Sequence, residues 1–256
     1  MPDDLTPIGG GWRGDVPTHV ALPTTPGPWP GVVVIHDALG MTTDLRRQAR
    51  WLADAGYVAA APDLFHWGGH MRCLVRIMRD LARGTAGPAF DDIAAVRRWL
   101  AAHPQGTGHV GIIGFCLGGG FALTLAPRHG YAASSVNYGD APEQAWERLA
   151  DACPIVASFG ADDPTQKGTA ARLERELAAH GVPHDVVEYP GAGHGFMNDH
   201  RPAEMSWAVR LLGRLSHTRF DDGATADARR RILRFFDAHL RHAAAPSGDI
   251  RTGRIS

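Results

Sequence analysis

The chain has 256 residues, with 26 Lys+Arg against 27 Asp+Glu for a formal net charge of −1, and only 3 Cys. That length is ample to bury a core, and 44% hydrophobic with 21% charged residues excludes a disordered or fibrous chain. Balanced charge leaves no electrostatic footprint for nucleic acid or an anionic membrane surface, and an odd, small cysteine count excludes a disulfide scaffold. The acidic opening M-P-D-D-L-T-P-I-G-G has no apolar core of a signal peptide, and no apolar run reaches the roughly 18 residues of a membrane helix. The expectation is a cytoplasmic protein with neither a nucleic-acid nor a membrane partner.

In chain order, residues 31–36 (G-V-V-V-I-H) form a β-branched run behind Pro30 and predict a buried strand. Thr42 or Thr43 can cap a helix presenting Leu45, Trp51 and Leu52, with Gly56 as its stop. A second strand runs from Tyr57 to Ala61 and ends at Pro62-Asp63. Residues 90–103 place Phe90, Ile93, Val96, Trp99 and Leu100 on one helical face. The strand His109–Ile113 then leads through a glycine-rich turn into a helix ending near Leu125. Strands follow at Tyr131–Val136, Pro154–Phe159 and His184–Tyr189, with helices near 142–150 and 166–180, the latter ended by Gly181. Helices near 203–216 and 225–242 close the pattern, and the tail from about 245 to 256 is expected to fray. Strands alternating with helices of this length predict a single α/β domain over 1–256, its mainly parallel sheet covered on both faces.

Ligands of such sheets sit beyond the carboxyl ends of the strands, so the strand-to-helix turns carry the chemistry. The turn Gly114-Phe115-Cys116-Leu117-Gly118 has the pattern of a nucleophile elbow with Cys in the usual place of Ser. Glycines on either side of the sharp turn keep side chains from crowding the neighbouring strand and helix. The helix start beneath Cys116 favours a thiolate, and backbone N–H groups from Leu117 onward can bind an oxyanion. The competing readings are a buried structural Cys and a phosphate cradle. The stretch lacks G-x-G-x-x-G, however, and no Lys follows Gly119-Gly120 as a phosphate-binding loop requires.

An elbow also demands an acid and then a His, each after a later strand. Gly160-Ala161-Asp162-Asp163-Pro164 and Gly191-Ala192-Gly193-His194-Gly195-Phe196 supply them on the same sheet edge as Cys116. Asp163 is otherwise a turn carboxylate, Asp162 competes with it, and His194 is one of 14 His. The turn His36-Asp37-Ala38-Leu39-Gly40 can supply the second oxyanion donor from Ala38 N–H, with Asp37 near thiol or substrate. His66 and Trp67 are expected, with His36 and Phe196, to contact substrate. His66 and His70 have helical spacing for a metal. Gly68-Gly69 between them argues for a loop and no Cys or Glu completes a zinc set, so no metal or other cofactor is expected. Cys73 and Cys153 are expected to pack in the core.

The succession V-I-H-D-A-L-G, A-P-D-L-F, G-F-C-L-G-G, G-A-D-D-P and G-A-G-H-G-F resembles the dienelactone hydrolase family over about residues 30–198. The closing helix R-I-L-R-F-F-D-A-H-L is in keeping with it. The resemblance implies an eight-strand α/β-hydrolase sheet without a separate cap domain, a Cys116–Asp163–His194 triad, and an acid at Asp37 near the thiol. The family's dienelactone-cleaving members present arginines after P-D-L-[FY] and shortly after the catalytic His. Here those places hold His66-Trp67 and Met197-Asn198, with Arg72, Arg76 and Arg201 nearby. The implied activity is hydrolysis of a small-molecule ester, lactone or thioester through a covalent acyl-enzyme. The alternatives are an acyltransferase with the same triad and a non-catalytic ligand-binding protein on this scaffold.

Overall fold

The apolar run that opens the central strand is buried at every residue of β3 (Trp29–Ile35), which lies inside an eight-stranded sheet in the computed structural model. Residues 5–84, 87–127, 129–205 and 219–241 are described. The strands are β1 (Thr6–Gly11), β2 (Gly14–Ala21), β3, β4 (Val58–Pro62), β5 (Gly106–Phe115), β6 (Ala133–Asn137), β7 (Ile155–Gly160) and β8 (His184–Tyr189). Their spatial order is β1-β2-β4-β3-β5-β6-β7-β8. The first two pairings are antiparallel and the remaining five parallel. The helices are α1 (Thr43–Asp54), α2 (His70–Ala82), α3 (Pro88–Ala101), α4 (Leu117–Leu125), α5 (Glu143–Trp146), α6 (Thr169–Ala179) and α7 (Asp222–Phe236).

The period-2 alternation of a strand assigns successive residues to opposite cores. Val33 and Ile35 join one core with Ile112 of β5, Phe90 and Val96 of α3, Phe121 of α4 and Leu173 of α6. Val32 and Val34 join the other with Ile113, Phe115, Leu45 and Leu52 of α1, and Ile232 and Phe236 of α7. Parallel pairing brings the carboxyl ends of β3, β5, β7 and β8 to one edge of the sheet, and the loops that follow them carry the expected site residues.

Several elements differ from expectation. The hairpin β1–β2 had no counterpart in the sequence reading, because Pro7, Pro17 and the run Gly9–Gly11 obscure a strand pattern that Ile8 and Val16 nevertheless anchor in the core. The helix expected near 142–150 is one turn, α5, followed by a short 3-10 turn Leu149–Asp151, and burial of Trp146 and Leu149 folds the segment back on the core. The C-terminal helix starts at Asp222, whose preceding Asp221 caps Ala224 N–H at 2.9 Å, and continues as a wider π-type turn, Asp237–Arg241. The helix expected near 203–216 shows a 3-10 turn at Pro202–Glu204 and falls otherwise outside the described residues, as does the tail 245–256. Among the described residues no helix is long and apolar enough to cross a membrane.

Leu52 of α1 is fully buried. Truncation to Ala removes its packing and leaves a void, which costs about 3 kcal/mol. A urea titration of Leu52→Ala is expected to show a lowered midpoint with an unchanged slope, and an unshifted midpoint would contradict this packing.

Candidate active site

The turn after β5 is shaped by two backbone contacts. A Cβ on Gly114 would lie 1.9 Å from the carbonyl oxygen of Gly118, and one on Gly118 would lie 2.3 Å from that of Ile35. Neither position tolerates a side chain, since both obstacles are backbone. Between them Cys116 adopts φ 54° and ψ −114°, a conformation an L residue takes only under constraint. Its N–H donates to Asn137 O at 3.0 Å, and Asn137 Nδ2 donates to Gly114 O at 3.1 Å, so β6 holds the turn. Leu117 opens α4, where a first-turn N–H has no intrahelical acceptor. The approach of Gly118 to the carbonyls of Ile35 and His36 puts the end of β3, and the turn Asp37–Gly40, against the elbow.

Two later loops reach the same sulfur. His194 Nε2 lies 3.0 Å from Cys116 Sγ, and its Nδ1 lies 2.6 Å from Oδ2 of Asp163. Asp163 is buried, while the neighbouring Asp162 is exposed, which separates the two candidates left open by their adjacency. The other Asp163 oxygen accepts from the Thr165 N–H at 2.8 Å and the Thr165 hydroxyl at 2.7 Å. Burial works against ionisation of Asp163. The hydrogen bonds from His194 and Thr165 outweigh it and hold the carboxyl below its ordinary range. Burial likewise disfavours a charged His194, but its bonds to Asp163 and Cys116 push the ring up to about 10. A charged imidazole here directs Nδ1–H at Asp163 and Nε2–H at the sulfur.

The loop bearing His194 is fastened to α1 and α7. Buried Asp44 accepts from Asn198 Nδ2 at 2.8 Å and from Asp199 N–H at 3.2 Å, and Gln48 Nε2 donates to Met197 O at 2.8 Å. Thr225 at the start of α7 donates its hydroxyl to Phe196 O. Tyr138, itself at φ 40°, donates to Asn198 Oδ1 at 2.6 Å and sets its ring edge-on to His194, 5.6 Å between centroids.

Other expected contacts are corrected. Phe196 is fully buried with its ring against Tyr138 and Tyr189, so it packs inside the loop instead of lining an open surface. His36 is also buried: its Nε2 accepts from Leu64 N–H at 3.2 Å, which leaves Nδ1–H to donate to Asp37 O at 2.6 Å. Burial lowers its pKa, and the neutral ring ties the turn after β3 to the segment after β4. His66 and Trp67 both direct a ring nitrogen at Oδ2 of buried Asp92, each at 2.9 Å, and Trp12 N–H donates to Oδ1 at 2.8 Å. These residues pin the segment after β4 to the β1–β2 turn. Asp37 is engaged by Leu39 N–H at 2.8 Å and His200 Nε2 at 2.6 Å instead of the thiol. Among the described residues no group of three or more His, Cys, Asp or Glu is placed to hold a metal ion.

Sequence reasoning missed Thr165, Asp44, Tyr138 and His200. The D-x-T spacing could have revealed Thr165, since a carboxylate commonly accepts from the N–H two residues on. The other three act across the fold and leave no local pattern.

A family model described as the dienelactone hydrolase family matches residues 16–240. The chain is similar to the carboxymethylenebutenolidase of Rhodococcus opacus, at 28% identity over 221 residues, 82% of this chain and 81% of that one. It is similar to the carboxymethylenebutenolidase of Pseudomonas putida at 29% identity over 180 residues, 66% of this chain and 75% of that protein. Its fold matches a crystal structure assigned as a dienelactone hydrolase from Klebsiella pneumoniae with a TM-score of 0.73 at 25% identity, over 91% of this chain and 96% of that one.

The raised His194 value contributes stability that is complete below the unfolded value of 6.5 and is lost as pH rises through about 10. In Asp163→Asn the ring loses its carboxylate partner. Nitrogen NMR of the labelled ring should then show a titration well below about 10, and an unchanged titration would contradict the pairing.

Proposed function

Because the chain belongs to the dienelactone hydrolase family, we propose that it hydrolyses a small carboxylic ester, lactone or thioester through Cys116, His194 and Asp163. The observation that carries this reading is the hydrogen-bonded path from Sγ to imidazole at 3.0 Å and from imidazole to carboxylate at 2.6 Å. A binding protein has no need of a buried acid behind that ring, and the path supplies what a nucleophile requires.

Cys116 attacks the carbonyl carbon as a thiolate, and the carbonyl electron pair moves onto oxygen. The N–H groups of Leu117 and Ala38 hold that oxyanion; neither meets an acceptor among the described residues. Collapse restores the carbonyl and expels the alkoxide, which takes the proton from His194 Nε2. An acyl thioester remains on Cys116. The neutral ring, oriented by Asp163, then removes a proton from water as the water oxygen attacks the thioester. The second tetrahedral intermediate expels the sulfur and releases the acid. With a lactone the leaving alcohol stays tethered, so one hydroxy acid is the product.

Cys116→Ala should retain the fold by circular dichroism and lose roughly a thousandfold or more in kcat on an active ester or lactone. Unimpaired hydrolysis would sink the assignment. Iodoacetamide should label Cys116 well before Cys73, which is buried, and Cys153, whose thiol burial pushes up to about 12. Equal rates at the three thiols would contradict a thiolate at the elbow.

A further inference from the structure

The site contains a second carboxylate–imidazole pair that the proposed reaction does not use. Asp37 Oδ2 lies 2.6 Å from His200 Nε2, and the two side chains are 11% and 9% exposed. The same carboxylate accepts Leu39 N–H at 2.8 Å through its other oxygen, and the Asp37 carbonyl accepts Gly40 N–H at 3.2 Å and His36 Nδ1–H at 2.6 Å. Asp37 is thus the internal scaffold of the turn that carries Ala38 N–H. His200 is its connection to the rest of the site, since it belongs to the loop after β8 that carries His194.

The surroundings of His200 favour a charged ring. A carboxylate this buried is costly unless a charged partner compensates it. The groups that face the ring are Asp37 from the turn after β3, Asp44 from α1 and Glu204 from the 3-10 turn Pro202–Glu204. Among the described residues, three nearby arginines have other partners. Arg47 pairs with Asp44 and Asp199, Arg229 donates to Gln48 Oε1 at 3.0 Å, and Arg201 lies by Glu204, whose carboxylate also accepts from Thr43. Burial lowers the pKa of the ring, but the bond to Asp37 and the other two carboxylates outweigh it and raise the value. The Nδ1 atom is buried and meets no partner among the described residues, so the Asp37 bond is the hydrogen bond that orients the ring there.

We propose that His200 is a positioning residue that clamps Asp37 and thereby fixes the oxyanion turn to the loop carrying the catalytic base. The nucleophile sits on a third segment and is untouched by the clamp. The inference rests on the proposed triad and on Ala38 as an oxyanion donor. A loosened turn weakens transition-state stabilisation while substrate binding and thiol reactivity stay intact. The clamp is strongest while the ring is charged and weakens as pH rises through the pKa of His200, where a neutral Nε2–H donor is left.

The test compares wild type, His200→Ala and His200→Gln in ester hydrolysis, with thermal melting to verify folding and iodoacetamide to report Cys116 reactivity. His200→Ala is expected to lose about tenfold in kcat with KM and the labelling rate unchanged, less than the roughly hundredfold cost of deleting an oxyanion donor outright. His200→Gln keeps an N–H donor for Asp37 without the charge. It should recover part of kcat and lack the alkaline decline that His200 contributes to the wild-type kcat profile. Asp37→Asn should cost a similar factor, and the Asp37→Asn/His200→Gln double variant little more than either alone. An unchanged kcat in His200→Ala overturns the inference. So does a rise in KM alone, which would make His200 a substrate contact, or a parallel fall in labelling rate, which would place its effect on the thiol. Retained hydrolysis in Cys116→Ala would instead overturn the triad itself.

Discussion

The near-contact of two backbone segments at Gly114 and Gly118 is the constraint on which the remaining geometry depends. With a carbonyl 1.9 Å from where the first Cβ would be and another 2.3 Å from where the second would be, strand β5 and helix α4 meet without side chains between them. That closeness forces the chain through a tight turn and puts its middle residue at φ 54°. The strain is maintained because β6 holds the turn on one side, through Asn137, and β3 abuts it on the other. The same contact that strains Cys116 also sets the end of β3 beside it, so the proposed nucleophile and both proposed oxyanion donors are products of one packing event.

Buried charges also fasten the loops of the site to its helices and strands. Asp163 is fully enclosed yet ionised, because His194 and Thr165 together supply three hydrogen bonds that exceed the burial cost. Asp44 does comparable work from α1, holding the side chain of Asn198 and the backbone of Asp199. Asp92 gathers His66, Trp67 and Trp12 on the far side of the site. Each is an acid with no exposed surface to speak of, and each accepts from segments distant in sequence. Loops generally carry function because a scaffold positions them, and here the positioning is largely done by carboxylates.

Much of this was legible in the residues. The parallel core strands and most helices follow from apolar runs and their punctuation, since β3, β4 and the Val110–Phe115 part of β5 are buried on both faces and read as continuous hydrophobic stretches. The elbow was visible because its glycines are dictated locally. His194 and Asp163 were visible because each follows a strand in the order that an elbow requires. The β1–β2 hairpin was hidden by prolines and glycines at a sheet edge, where pairing constrains sequence least. Phe196 and His36 were assigned to substrate because they neighbour site residues in sequence, but alternation along the chain sends one beneath the loop and the other into the core. His200 was hidden for the opposite reason: its partner Asp37 lies far away in sequence, and only the fold brings them together.

The central claim is that acyl transfer passes through the sulfur of Cys116. The most direct measurement is mass spectrometry of the protein acid-quenched in the steady state with an activated acetate ester, followed by peptide mapping. A mass gain of one acetyl group is expected on the peptide containing Cys116, decaying as substrate is exhausted. Steady turnover with no acyl adduct at Cys116, or with the adduct on another residue, would contradict it.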